Sequence, residues 1–215
     1  MFRCMNQRSW RRLGIFAQLA GCVLAATLHA ASAASPVLRD GDIIFHKSRS
    51  AQSAAIQRAT KSPYSHMGIV HRQGRQWFVY EAVGPVKLTP FKDWTARGDG
   101  GHYVVKRLRD GRALTPAALS RLWAVGRTYG GKPYDLYFGW NDDRIYCSEL
   151  VWKMYHAALG LEIGHLRRLR SFDLSDRAVQ MKLHERYGSR VPMDEPVISP
   201  ADMFDSELLV EAGRE

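Results

Sequence analysis

The sequence predicts an α+β domain, antiparallel strands first and packing helices second, preceded by a short leader. Two β-rich runs, residues 65–71 and 76–83, face each other across Arg72-Gln73-Gly74-Arg75, where glycine supplies the positive φ of a tight hairpin. After residue 115 the apolar residues recur at helical rather than alternating spacing. The first 33 residues follow neither pattern.

Residues 1–33 read as a secretory signal. Arg3, Arg8, Arg11 and Arg12 precede an apolar run over 13–28, and Ala31-Ser32-Ala33 offers the small residues of a cleavage site. A spanning helix needs about 20 consecutive apolar residues, whereas this run is interrupted by Gln18 and His29 and ends in an Ala/Ser tract. Cleavage near Ala34 would leave one domain over 34–215, periplasmic or secreted. A rival reading takes Leu19-Ala20-Gly21-Cys22 as a lipid-attachment motif that anchors the protein through Cys22. The residues that follow, Val23-Leu24-Ala25-Ala26, stay apolar where a lipoprotein turns polar, which favours plain secretion.

The chain carries 31 basic and 21 acidic side chains; without the four arginines of the leader, 27 basic ones remain. That excess suits peripheral contact with anionic cell-wall polymer or lipid headgroups, and solvated surface charge explains it equally well. No basic run is interleaved with aromatics, which argues against a nucleic-acid partner. Among the eight histidines there is no HExxH, and no second cysteine remains beyond the leader, so neither a metal nor a cofactor is expected. Nothing in the sequence names an oligomeric state. Cys4 and Cys22 leave with the leader, and Cys147 then stands alone in an oxidising compartment, either as a small buried hydrophobe or as a reactive thiol.

Along the domain, Gly41-Asp42-Ile43-Ile44-Phe45-His46 predicts a first strand. Residues 48–60, rich in Ala, Gln and Ser, predict a short helix that Pro63 ends. The hairpin follows, then a strand over 102–108. Thr115 as N-cap and Pro116 at the first helical position open a helix striped by Leu119, Leu122, Trp123 and Val125, and Gly130-Gly131 stops it. The next helix runs over 147–159: Cys147, Leu150, Val151, Met154 and Ala158 share a face, and Gly160 ends it. Cys147 is therefore expected on the core side of a helix, close to its start. Asp142-Asp143 are placed to cap that helix or, less simply, to touch substrate. A last helix is predicted over 175–187, before a Pro-punctuated tail with Ser199-Pro200-Ala201-Asp202. There is no internal repeat or linker.

The hairpin supplies the candidate chemistry. With Gln73-Gly74 as its two-residue loop, Arg72 pairs with Arg75 and His66 falls directly opposite Glu81, with Cβ atoms about 5 Å apart. His66, Gly68 and Val70 then share a face with Trp77, Val79 and Glu81, while Met67, Ile69, Phe78 and Tyr80 point the other way. A carboxylate beside an imidazole fixes its tautomer and supports its cation; the imidazole takes a thiol's proton; a helix N-terminus favours the thiolate. The same residues also suit a structural His/Glu contact and an inert core cysteine. His46 and His71, at a strand end and a hairpin end, are expected to be exposed.

Gly41-Asp42-Ile43-Ile44-Phe45, Tyr64-Ser65-His66-Met67-Gly68, Tyr80-Glu81-Ala82-Val83-Gly84-Pro85-Val86, Gly131-Lys132-Pro133-Tyr134-Asp135 and Tyr146-Cys147-Ser148-Glu149-Leu150-Val151 together resemble the YiiX/YebB group of permuted NlpC-type cysteine hydrolases. The likeness runs from about Leu38 to the tail. It implies a papain-like fold, an antiparallel sheet or barrel packed on helices, in which the histidine strand precedes the cysteine helix. It also implies a triad of Cys147, His66 and Glu81, with Tyr134 lining the site. The activity it implies is amide cleavage, of a cell-wall peptide first, through a Cys147 acyl-enzyme with His66 as general base. Because the permuted branch is similar to lecithin:retinol acyltransferase, a lipid or acyl-ester hydrolase or acyltransferase is the alternative. A catalytically inactive binding module is the second.

Overall fold

The computed structural model describes residues 37–215, so the signal segment, Cys4, Cys22 and the cleavage expected near Ala34 lie outside the described residues. In chain order the elements are β1 (Ile43–Ser48), α1 (Ala51–Thr60), β2 (His66–Gln73), β3 (Gln76–Ala82), β4 (Val86–Pro90), α2 (Phe91–Ala96), β5 (Gly98–Leu108), α3 (Pro116–Tyr129), α4 (Cys147–Leu159), β6 (Arg167–Arg168), α5 (Arg177–Tyr187), β7 (Pro196–Val197), α6 (Pro200–Phe204) and β8 (Leu209–Arg214). Six strands form one antiparallel sheet in the order β4-β3-β2-β1-β5-β8, and β6 pairs with β7.

The sheet is covered on both faces. Ile43, Phe45, Met67, Ile69 and Tyr80 pack in one cluster with Leu122 of α3 and Leu150, Val151 and Met154 of α4. Ile44, Val70, Val79 and Val105 form the other, closed by Trp94 of α2. Burial on both sides explains why β1 begins as the unbroken apolar run Ile43-Ile44-Phe45 instead of alternating. Residues of β2 and β3 divide between the clusters in the alternation that the sequence predicts.

Local signals set the helix ends. The Ser50 side chain accepts from the Ser53 N–H and Thr115 accepts from the Ala118 N–H, while Gly160 takes a left-handed φ of 70° to end α4. Asp142 and Asp143 do not cap α4. Tyr146 is its N-cap residue, and the Glu149 carboxylate reaches back to accept from the Tyr146 N–H at 3.3 Å. Asp142 instead accepts from Lys153 at 2.8 Å, on the surface. The sequence does not announce β4, α2 or β8; the first two are short, and β8 lies in the tail that its prolines suggest is irregular.

The hairpin register differs from expectation by two residues. Gln73 pairs with Gln76 and Ile69 with Tyr80, so the loop is Gly74-Arg75. Gly74 has a φ of 59° at the first loop position and Arg75 is not left-handed, the pattern of a turn that needs glycine first rather than second. Carried onward, this register sets Gly68 rather than His66 opposite Glu81. A slip of two keeps every side chain on its face, whereas a slip of one would have exchanged the faces. The crossing at Gly68 is close: a Cβ there would lie 2.5 Å from Val79 Cγ1 and 2.7 Å from the Tyr80 carbonyl oxygen. Gly68→Ala should therefore force β2 from β3 and destabilise the fold by about 1–3 kcal/mol in urea unfolding, and an unchanged midpoint would contradict the close crossing.

Candidate active site

Cys147 is the first residue of α4 and His66 the first residue of β2, so a helix N-terminus meets the beginning of a strand. Both residues are buried, and Cys147 is a free thiol. The His66 Nε2–H donates to Glu81 Oε2 at 2.6 Å. This leaves Nδ1 on the side of the thiol, and His66 and Cys147 lie close enough for each to shift the other's ionisation. The structure thus brings Cys147, His66 and Glu81 together as the sequence suggests, although through a diagonal rather than a direct cross-strand pair.

Glu81 is fully buried. Its Oε1 accepts from Thr89 Oγ1 of β4 at 2.5 Å and from the Arg97 guanidinium, which follows α2. Burial alone would raise its pKa, but the His66 hydrogen bond and charge, with Thr89 and Arg97, hold it near 2. Desolvation likewise opposes a charged His66, yet the Cys147 and Glu81 partners outweigh it and raise the imidazole to about 9. For Cys147, burial acts upward; the His66 hydrogen bond and charge and the N–H groups of Met67 and Ser148 bring the thiol below its ordinary value. The arrangement favours a thiolate–imidazolium pair.

Sequence reading missed the surroundings of this pair. His46 is buried, not exposed: it pairs with His66 across β1 and β2, stacks on Trp94 at a centroid distance of 4.0 Å, and lies 5.3 Å from the His66 ring. Burial, then the charges of His66 and Arg97, lower His46 to about 3, so it stays neutral beside a charged neighbour. His71 is half-buried, with Nδ1 3.0 Å from Asp40. Thr89 carries a weak signal, as Val86-Lys87-Leu88-Thr89 alternates like a strand; Arg97 carries none, because only the folded chain brings it near.

Tyr134 does reach the site. Its phenol lies against Cys147, and burial together with the neighbouring thiolate pushes its pKa well up. It stands between two spaces. On one side is an apolar chamber lined by Cys147, Ile56, Phe138, Leu169, Phe172 and Leu183, among others. On the other is an open polar cleft with His66, Ser48, Ser65, Arg49 and Arg97.

The depressed Glu81 pKa carries a pH signature. A folded-state value near 2 against an ordinary 4.5 stabilises the fold above pH 4.5, and that contribution disappears as pH falls through 2. Wild type should exceed Glu81→Gln in unfolding free energy by about 3 kcal/mol at pH 7, and the gap should narrow below pH 4.5. A gap independent of pH down to 2 would mean that the carboxylate is not held in this way.

A family model described as permuted papain-like amidase enzyme, YaeF/YiiX, matches residues 37–211. The uncharacterized protein YiiX of Escherichia coli strain K12 is 49% identical over 175 residues, which are 81% of this chain and 86% of that relative. A crystal structure described as metalloprotein YiiX from Escherichia coli O157:H7 matches at a TM-score of 0.79 and 49% identity, covering 82% of this chain and 97% of that one. The word metalloprotein is said of that protein; among the described residues here, no group of three or more His, Cys, Asp or Glu side chains is arranged to hold a metal ion. The histidine strand before the cysteine helix, on an antiparallel α+β framework, is the permuted order. The chain belongs to the permuted papain-like amidase family, YaeF/YiiX.

Proposed function

We propose that this protein is a thiol amidase that forms an acyl-enzyme on Cys147, with an apolar acyl group seated in the chamber beside it. The placement of His66 between a thiol at a helix start and the Glu81 carboxylate, hydrogen-bonded to the latter, supports the reading. The thiolate attacks the carbonyl carbon. Tyr134 O–H and a backbone N–H at the start of α4 receive the oxyanion. Protonated His66 gives its Nδ1 proton to the departing amine as the C–N bond breaks. Water then enters; His66 takes its proton, the hydroxyl attacks the thioester, and the thiolate leaves to restore the pair. Glu81 holds the ring and its charge throughout.

The chamber bears on the acyl half of the substrate. Its lining beside Cys147 is dominated by Ile, Leu, Phe and Val side chains, which favours an apolar acyl chain, as in a lipid-like amide or ester, over the polar peptides of a cell wall. The cleft, with Arg49 and Arg97, suits a polar amine half. Arylamides of straight-chain acids test this. The specificity constant should rise about three- to fourfold per methylene, the equivalent of ~0.8 kcal/mol each, until the chamber is filled. Cys147→Ala and His66→Ala should abolish the turnover. A preference for charged peptide amides with no gain from chain length would restore the cell-wall reading, and full activity of Cys147→Ala would end both.

A further inference from the structure

We infer that Gln52 and Arg186 are positioning residues that aim the Tyr134 hydroxyl hydrogen at the sulfur of Cys147. Gln52 lies in the first turn of α1 and lines both the chamber and the cleft. Its Oε1 accepts from the Arg186 guanidinium, in the last turn of α5, at 3.1 Å, and its Nε2 donates to Tyr134 Oη at 3.3 Å. The amide orientation follows from chemistry. A guanidinium only donates, so the carboxamide oxygen must face Arg186 and the NH2 must face Tyr134. Tyr134 Oη therefore accepts from Gln52, and its single hydrogen is left for its other neighbour, Cys147, which lines the same chamber.

Both ends of the relay are fixed. Ser50 caps α1, and Ser53 Oγ donates to the Ser48 carbonyl at 2.6 Å, which pins the turn that carries Gln52. Arg186 sits over the Phe138 ring at 5.3 Å. A hydroxyl hydrogen aimed this way stabilises the thiolate at rest and is in place for the oxyanion once the carbonyl is attacked. The catalytic consequence rests on the amidase reading; the aim of the hydroxyl does not.

The probe is iodoacetamide, with alkylation of Cys147 in the full chain followed by peptide mass across pH. The titratable and charged groups facing Cys147 are His66 from β2, Tyr134 and Tyr146 from the segment before α4, and Lys182 and Arg186 from α5 across the chamber. Tyr134→Phe should move the midpoint of alkylation up by about 0.5–1 pH unit, the loss of one hydrogen bond to the thiolate. Gln52→Glu keeps the shape and the Arg186 contact but turns the donor into an acceptor. It should pull the phenol hydrogen away from sulfur and raise the midpoint similarly. In the Tyr134→Phe background Gln52→Glu should add little. If its shift persists there in full, the new charge acts through space and the relay is wrong; if Gln52→Glu moves nothing in the wild-type background, the relay is also wrong. Because iodoacetamide needs no acyl donor, the alkylation midpoints test the role of Gln52 even in a protein that hydrolyses no amide.

Discussion

A carboxylate with no solvent exposure, set in the middle of a sheet, has to be met by donors or give up its charge. Glu81 is met by three: the His66 ring from β2, the Thr89 hydroxyl from β4 and the Arg97 guanidinium after α2. Each comes from a different element, so β4 and α2, which look like loop in the sequence, are parts of the site. Their placement has little to do with local propensity. The three donors fix the carboxylate, the carboxylate fixes the imidazole, and the imidazole determines the ionisation of Cys147.

The junction of α4 with β2 is the second dependence. The cysteine must lie at a helix N-terminus and the histidine at a strand end for the two to meet, and neither condition refers to the order of those elements along the chain. That is why a permuted connection leaves the geometry intact: the site is a property of packing, not of sequence order. The cap of α4 follows the same logic. Glu149 rather than Asp142 or Asp143 satisfies the backbone there, and so the face of the helix end toward His66 is left to the thiol.

How much of this is legible in the sequence depends on the period of the signal. Cys147 at the start of a core helix, with its boundaries at Cys147 and Gly160, follows directly from spacing and a terminal glycine. The shared face of His66 and Glu81 holds despite the shifted turn, because a strand forgives a slip of two and not of one. The turn itself is ambiguous because glycine serves either loop position, in different turn types, and the sequence does not say which. His46 looks like an exposed strand end; it is buried because α2, itself unannounced, lays Trp94 over it. Contacts such as Gln52 to Tyr134 join residues 82 apart in the chain, and no pattern along one sequence marks them.

The electrostatics suit amide cleavage in a particular way. The difficult part of breaking an amide is supplying a proton to a poor leaving amine, not only generating a nucleophile. Here the His66 ring, held by the Glu81 carboxylate, is raised to about 9 and carries its proton at neutral pH beside a thiol whose own pKa is lowered. A neutral His46 beside it adds polar surface without competing for that proton. The apolar chamber sharpens the arrangement: burial raises the thiol, so the thiolate persists only while the imidazolium stays beside it. On the proposed mechanism, once the amine has taken the proton nothing supports a thiolate, and the sulfur stays in its thioester. The same ring, neutral at that stage of the proposed mechanism, is then placed as the base that water requires.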